Sequence, residues 1–180
     1  MKRLNLGCGR CIKSKEKGWI NLDSKKLDGV DVVHNIEKLP LPFKDDEFDD
    51  ILCQDILEHV EYIPVLKDLH RILKKGGIVR IRVPHFTSRN NFIDPTHKKM
   101  FSVKTFDFFV KNSGINREYY FDFSFSRIKH KYITFQKGLL IYNYFIQWLV
   151  NSSRSMQNLY ESTFLSRIFP AENIIVYLVR

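Results

Sequence analysis

Leu4-Asn5-Leu6-Gly7-Cys8-Gly9, followed after about nine residues by Trp19-Ile20-Asn21-Leu22-Asp23, decides the fold class. A short apolar run that breaks at two glycines reads as a buried strand and a tight turn, and the second run, ending in an acid, reads as the next strand. An open sheet holds a nucleoside with this arrangement. The glycines let backbone approach a ligand, and the acid accepts hydrogen bonds from ribose hydroxyls. A glycine pair after a strand is also an ordinary turn, so the rest of the chain must arbitrate.

Outward from there, Val30 to Val33 and Asp49 to Leu52 read as further strands. From Ile63 the apolar residues Val65, Leu66, Leu69, Ile72 and Leu73 keep helical spacing until Lys74-Lys75-Gly76-Gly77, a cationic and glycine-rich stop, and Ile78 to Val83 follows as a strand. Alternating strands and helices predict an α/β fold: an open, mainly parallel sheet, helices on both faces, ligands at the carboxyl ends of the strands. Beyond it, Val103 to Val110 reads as a Phe-rich helix, Arg117 to Phe125 as an alternating strand, and Ile174 to Val179 as a last, antiparallel strand. The segment 139–168 reads as a helical insertion, apolar on one side through Leu139, Leu140, Tyr144, Trp148, Leu159, Phe164 and Leu165.

A length of 180 residues predicts one domain over 1–180, and 44% hydrophobic residues with 15 Phe and 8 Tyr give it a core, which excludes disorder. The net charge of +9 is uneven: residues 1–50 carry ten basic and ten acidic groups, 51–100 nine and five, 101–180 ten and five. The cations are scattered, with no run longer than pairs such as Lys74-Lys75 and Lys98-Lys99, so no nucleic-acid partner is expected. Three cysteines, Cys8, Cys11 and Cys53, make no disulfide framework and point to a reducing cytoplasm. Asn5, Gly7 and Gly9 interrupt any signal-like apolar stretch, and the run Leu139 to Val150, broken by Asn143 and Gln147, is too short to span a bilayer.

Four further motifs occur in order: Leu39-Pro40-Leu41-Pro42-Phe43, Phe48-Asp49-Asp50-Ile51, Leu57-Glu58-His59-Val60, and Leu69-His70-Arg71-Ile72-Leu73-Lys74-Lys75-Gly76-Gly77. With the glycine turn they make residues 4–85 resemble the class I S-adenosylmethionine-dependent methyltransferases, especially those similar to quinone-biosynthesis methyltransferases. Asp94-Pro95-Thr96-His97 and Phe101-Ser102 look like a narrower subgroup of small methyltransferases associated with surface-glycan assembly. The resemblance implies a Rossmann-like fold, S-adenosyl-L-methionine as cofactor, and a small-molecule or glycan/lipid-linked acceptor. It implies that Gly7, Cys8 and Gly9 lie under the methionine part, Asp23 holds the ribose, and Asn35 and Ile36 flank the adenine, with Asn5, Leu6 and Ser24 as further cofactor contacts. Cys53, Gln54 and Asp55 would line the methionine and reaction side, with His59 near it. Two positions depart from the family, which usually has an acid at Asn5 and a glycine at Cys11, and the first loop is too short for the usual first helix.

Methyl transfer asks mainly for alignment of donor and acceptor, with a base where the acceptor is a hydroxyl. Candidates are His97, with Asp94 setting its tautomer, and His85 after the fifth strand; alternatively Asp94 caps a turn and His97 packs beside it. Glu58-His59 either reaches the cofactor site or makes a structural hydrogen bond. Cys8 and Cys11 have metal-ligand spacing without a second pair, and Asp45, Asp46, Glu47, Asp49 and Asp50 read as a solvated turn, so no metal is expected. The insertion, with Tyr142, Tyr144, Phe145 and Trp148 near Lys129, Lys131, Lys137 and Arg154, reads three ways: a lid over an amphipathic acceptor, a contact with an anionic membrane surface, or plain burial. Two other functions fit fewer residues: a non-catalytic cofactor-binding or scaffold protein, and an RNA methyltransferase.

Overall fold

In a computed structural model, which describes residues 1–115 and 117–180, seven strands form one sheet in the order β3-β2-β1-β4-β5-β7-β6. They are β1 (Arg3–Leu6), β2 (Trp19–Asp23), β3 (Val32–Val33), β4 (Phe48–Gln54), β5 (Leu73–Pro84), β6 (Arg127–Thr134) and β7 (Asn173–Val179). The first five run parallel, and β7 lies antiparallel between β5 and β6. Leu4 pairs with Ile51 and Ile20, and Leu6 with Cys53 and Leu22, so one face of the sheet is an apolar layer. The same register brings Leu6, Asp23 and Gln54 to a single edge, the carboxyl edge that the strand pattern predicts for a ligand.

Helix α1 (Tyr62–Ile72) covers that layer with Val65, Leu66, Leu69 and Ile72, all buried. Its polar residues fasten the preceding loop: Asp68 Oδ2 accepts from the Leu41 N–H (2.8 Å), and Arg71 donates to Asp68 (2.6 Å) and to the Phe43 carbonyl (2.9 Å). Two of the separated sequence motifs are therefore one packing unit. The helix stops at Ile72, and β5 starts directly at Leu73, five residues before the expected strand. Between β1 and β2, where the first helix of such a fold would stand, the described chain has only a 3-10 turn, Lys15–Lys17, as the short loop predicts. The opposite face of the sheet carries a charged row instead, with Arg3 and Arg80 over the Trp19 ring and Arg80 Nε donating to the buried Asp50 (2.9 Å).

The later segments depart from expectation. Residues 103–110 form only a 3-10 turn, Thr105–Phe109, which buries Phe106 and Phe109. The alternation of 117–125 is aromatic packing, not a ladder: after a turn at Glu118–Tyr120, Phe121 meets Phe109 (ring centroids 4.6 Å apart) and Phe125 meets His70 (5.3 Å). The sixth strand is Arg127–Thr134, whose Arg127, Lys129 and Lys131 hide it in a hydropathy reading because it is an edge strand. The insertion holds a one-turn-and-more series of helices that follow a single turn, α2 (Asn90–Ile93), earlier in the chain: α3 (Tyr142–Val150), α4 (Arg154–Ser162) and α5 (Leu165–Ile168). Ser153 caps α4 by accepting from the Met156 N–H (3.1 Å). Val103, Ile133, Phe135, Val150, Tyr160 and Ala171 make a second, smaller apolar cluster beneath them.

The face that α3 buries carries two amides, Asn143 and Gln147, beside Val150. Asn143 donates to the Gln136 carbonyl (2.6 Å), and Gln147 accepts from the Phe135 N–H (3.1 Å) and donates to the Tyr132 hydroxyl (3.0 Å). Tyr144, Phe145 and Trp148 face outward, Phe145 being 60% and Trp148 66% exposed, with Leu139 beside the helix 99% exposed. Plain burial of the insertion's aromatic side is thus corrected: buried backbone groups at the end of β6 need partners, and Asn143 and Gln147 supply them. Lys131, expected among its free cations, is buried and paired to Asp107 (2.7 Å). No helix among the described residues is long and apolar enough to cross a membrane.

Candidate active site

At the end of β1 the two glycines have different work. Gly7 has φ +63°, and a Cβ there would stand 2.5 Å from Ile56 Cγ1, so its bare Cα makes room for a neighbouring side chain. Gly9, at φ +49°, has no atom within 4 Å of a Cβ position, so it is the glycine with open space above it. Its N–H donates to Asp23 Oδ2 (2.8 Å), while Asp23 Oδ1 accepts from the Lys25 N–H (2.9 Å). Each carboxylate oxygen still has acceptor capacity, which is what two ribose hydroxyls require. The loop and the acid therefore fit a nucleoside cofactor.

Several expected cofactor contacts prove structural. Asn5 is buried and donates to the Cys11 carbonyl (2.9 Å) and to Asn21 Oδ1 (3.0 Å), and Asn21 in turn donates to the Lys13 carbonyl (2.9 Å). These amides fasten a loop that has no helix to hold it, so Asn5 does not face the groove. The side chains of Leu6, Ile36 and Cys53 lie in the main apolar core, leaving only their backbone for a ligand. Burial pushes the Cys53 thiol far above its ordinary range, and burial, then the Asp23 charge, raises Cys8. Cys8 and Cys11 close a turn, Cys11 N–H donating to the Cys8 carbonyl (2.8 Å). Ser24 is exposed just past Asp23, and Asn35 accepts from the Glu37 N–H (3.0 Å) near the end of β3. Gln54 ends β4, and Asp55 follows at φ +52°, ion-paired with Arg82 (3.0 Å).

On the same edge, past the ends of β4 and β5, lies a pocket of about 460 Å³ lined by Asp55, Glu58, His59, Arg82, Asp94 and His97 among others. The Glu58 carbonyl accepts from both the Lys98 N–H (2.8 Å) and the Lys99 N–H (3.1 Å), which brings His97 against the turn that carries Glu58 and His59. The His59 and His97 rings meet edge to face at 4.6 Å. Glu58 is fully buried, neither carboxylate oxygen has a hydrogen bond, and burial raises its pKa to about 7. His97 Nε2 stands 4.0 Å from Glu58 and 3.9 Å from Asp94, and its Nδ1 is buried without a partner. Burial, then the charge of His59, lowers the pKa of His97, which keeps it neutral near pH 7.

Asp94 does not orient His97. Its Oδ1 accepts from the Thr96 N–H (2.8 Å) and hydroxyl (2.6 Å), and these bonds hold its carboxyl below the ordinary range; it is the cap of the turn. His85 leaves the list of catalytic candidates. It is fully buried, with Nδ1 against the Thr87 hydroxyl (2.7 Å) and Nε2 against Glu161 of α4 (3.0 Å), so it ties the insertion to the end of β5. Sequence reading misses Arg82, Glu172 and Asn173 as pocket residues and names Glu58 only with His59, as a cofactor-site or structural residue. Glu58 alone had a signal, the Glu-His pair just after a strand.

Residues 13–81 match a family model described as a methyltransferase domain. Over 84 residues, 42% of this chain and 37% of the relative, the chain is 36% identical to an uncharacterized protein of Methanocaldococcus jannaschii. Over 57 residues, 31% of this chain and 24% of the relative, it is 37% identical to a demethylmenaquinone methyltransferase of Staphylococcus saprophyticus. The chain thus matches well under half the length of these curated relatives. A crystal structure of a SAM dependent methyltransferase from Archaeoglobus fulgidus has the same fold, with a TM-score of 0.62 over 99% of this chain and 86% of that one, at 22% identity.

Proposed function

From a chain whose residues 13–81 match a methyltransferase-domain model and whose fold is shared with a SAM dependent methyltransferase, we propose an enzyme that methylates a small-molecule or glycan/lipid-linked acceptor. One observation carries the reading: the open Gly9 turn tied to Asp23, and a polar pocket past β4 and β5, share one edge of the sheet. S-adenosylmethionine, when bound, supplies a methyl group already activated on a sulfonium. The residues of the chain therefore need only to bind and align two molecules, which supplies roughly 7–11 kcal/mol of such a barrier.

Asp23 is the ribose-binding acid, Gly9 lets the loop approach the cofactor, and Gln54 and Asp55 stand at the strand end between the two halves of the site. The pocket meets the acceptor with carboxyl groups and the imidazoles of His59 and His97. Such groups accept a hydrogen bond from a hydroxyl and so fix its direction. His97 and Glu58 are the pair placed for this, in the pocket and short of other partners. A turnover assay with methyl-labelled S-adenosylmethionine and a panel of quinols, phenols and lipid-linked sugars tests the activity. Labelled product from any acceptor supports it; cofactor binding with no labelled product from the panel supports the scaffold reading instead.

The outward aromatic face of α3 favours an acceptor held at a membrane surface. Tyr144, Phe145 and Trp148 stand exposed with Lys137 against the Tyr144 ring (5.1 Å), the combination of apolar rings and cations that seats a helix in an anionic interface. Vesicles containing anionic lipid should retain the protein in a salt-sensitive manner, and Trp148→Ala with Phe145→Ala should abolish the retention. Retention equal for neutral and anionic vesicles, or none, contradicts this part of the reading.

A further inference from the structure

We propose that Glu58, His59 and His97 form a binding site for one divalent first-row transition-metal cation at the floor of the acceptor pocket. One ligand atom from each of the three side chains lies within 4.8 Å of the other two. Atoms bound to one such cation at about 2.0–2.2 Å stand roughly 3–4 Å apart, so the site closes by side-chain rotation of less than an ångström or so. Glu58 is a fully buried carboxyl that lines the pocket, and both of its oxygens lack a hydrogen bond, an arrangement that a bound cation would satisfy.

The histidines are prepared as ligands. Thr96 must donate its hydroxyl proton to Asp94, because an ionised carboxylate only accepts, and Thr96 Oγ1 can then only accept from His59 Nδ1 (2.8 Å). This fixes the His59 proton on Nδ1 and leaves Nε2 with a free lone pair, the relay that orients a metal-binding imidazole. The His97 ring stands edge-on to His59, with ring centroids 4.6 Å apart, and its Nδ1 is buried without a hydrogen-bond partner. Two imidazoles and one carboxylate suit cobalt, zinc or manganese better than magnesium, and three protein ligands leave coordination positions open. Asp55, Asp94 and Glu172 add negative charge to the pocket against the single Arg82 cation. On the methyltransferase reading above, the open positions face the acceptor, whose oxygen would bind there.

The test is a titration of the 180-residue chain, stripped with chelator and free of cofactor, with Co²⁺ followed by visible absorption and calorimetry. One equivalent should bind. Glu58→Gln and His97→Asn should each weaken binding by at least about 10-fold, as should His59→Asn, and Thr96→Val should weaken it less. His130→Asn, a histidine on β6 outside the cluster, should leave it unchanged. Circular dichroism on each variant separates loss of a ligand from loss of the fold. Absence of saturable Co²⁺ binding, equal binding in folded Glu58→Gln and His97→Asn, or binding of Mg²⁺ without Co²⁺ overturns the site. A separate titration with S-adenosylmethionine distinguishes the two readings. A chain that binds cofactor and no Co²⁺ loses the cation site alone, whereas one that binds Co²⁺ and no cofactor keeps it and counts against the methyltransferase reading.

Discussion

Gly7→Ala should destabilise the fold, while Gly9→Ala two residues away should not do so to a comparable degree. Both glycines have positive φ, +63° and +49°, so alanine costs each about 1–2 kcal/mol of backbone strain. Only at Gly7 does the new methyl collide, 2.5 Å from Ile56 Cγ1 and 2.6 Å from Cδ1, and forcing an extra carbon into such a space costs roughly 1–3 kcal/mol more. The total at Gly7 is therefore about 2–5 kcal/mol, a sizeable part of the ~5–15 kcal/mol that holds a domain together. Truncating Ile56 to Ala removes Cγ1 and Cδ1 and leaves its Cβ 3.1 Å from the new methyl, a tight contact that a small shift relieves. Urea unfolding of the four chains closes a double-mutant cycle, and the double variant should be more stable than the sum of the single effects by about 1–3 kcal/mol. Equal losses at Gly7 and Gly9, or strict additivity in the cycle, would refute the assignment of Gly7 to packing and Gly9 to the ligand.

His97→Ala should lower turnover on the order of 100-fold through lost alignment while cofactor affinity stays nearly intact; equal loss of both would put His97 in the cofactor shell. Asp31→Asn should flatten the acid limb of stability. Burial raises the Asp31 carboxyl, but hydrogen bonds from Lys15 and Asn21 outweigh it and hold the folded pKa below 3.8. Its contribution is thus present above about pH 4 and lost as pH falls through the folded value, and urea unfolding from pH 6 to pH 3 should show the parent and variant converging. Asn151→Ala removes a side chain that accepts from the Ile133 N–H (2.8 Å) and donates to the Ile133 carbonyl (2.8 Å), so hydrogen exchange should accelerate in α3 and α4, with a loss of roughly 1–3 kcal/mol, and leave β1 to β4 protected.

The parallel half of the sheet was legible because its strands are short apolar runs closed by polar residues, and β1 begins and ends where the run Arg3 to Leu6 does. The helix over α1 was equally plain from its repeat. Reading failed where packing overrides pattern. Phe121, Phe123 and Phe125 alternate like a strand yet stack on the core, and the true edge strand is disguised by lysines and arginines. In the site, the acid of β2 stood out at the end of its run, where its carboxylate accepts from the Gly9 and Lys25 N–H groups. Asn5 and Cys53 could not be told from ligand contacts, since their roles depend on neighbours distant in sequence, Asn21 in one case and the core in the other. The Asp94–His97 pairing failed for a local reason: Thr96, between them, offers Asp94 two better donors.

The central claim is that this sheet edge holds S-adenosylmethionine through Asp23, and a calorimetric titration of the parent chain, Asp23→Ala and Asp23→Asn tests it most directly. A carboxylate that bridges two ribose hydroxyls contributes ~1.5–3 kcal/mol, so one equivalent should bind the parent and affinity should fall roughly 10- to 150-fold in the alanine variant. Asp23→Asn keeps an acceptor for the Gly9 N–H while losing the charge, and it should also bind weakly if the ribose contact, not the loop, is what matters. A folded parent that takes up no cofactor, or folded variants that bind as tightly as the parent, would contradict the account.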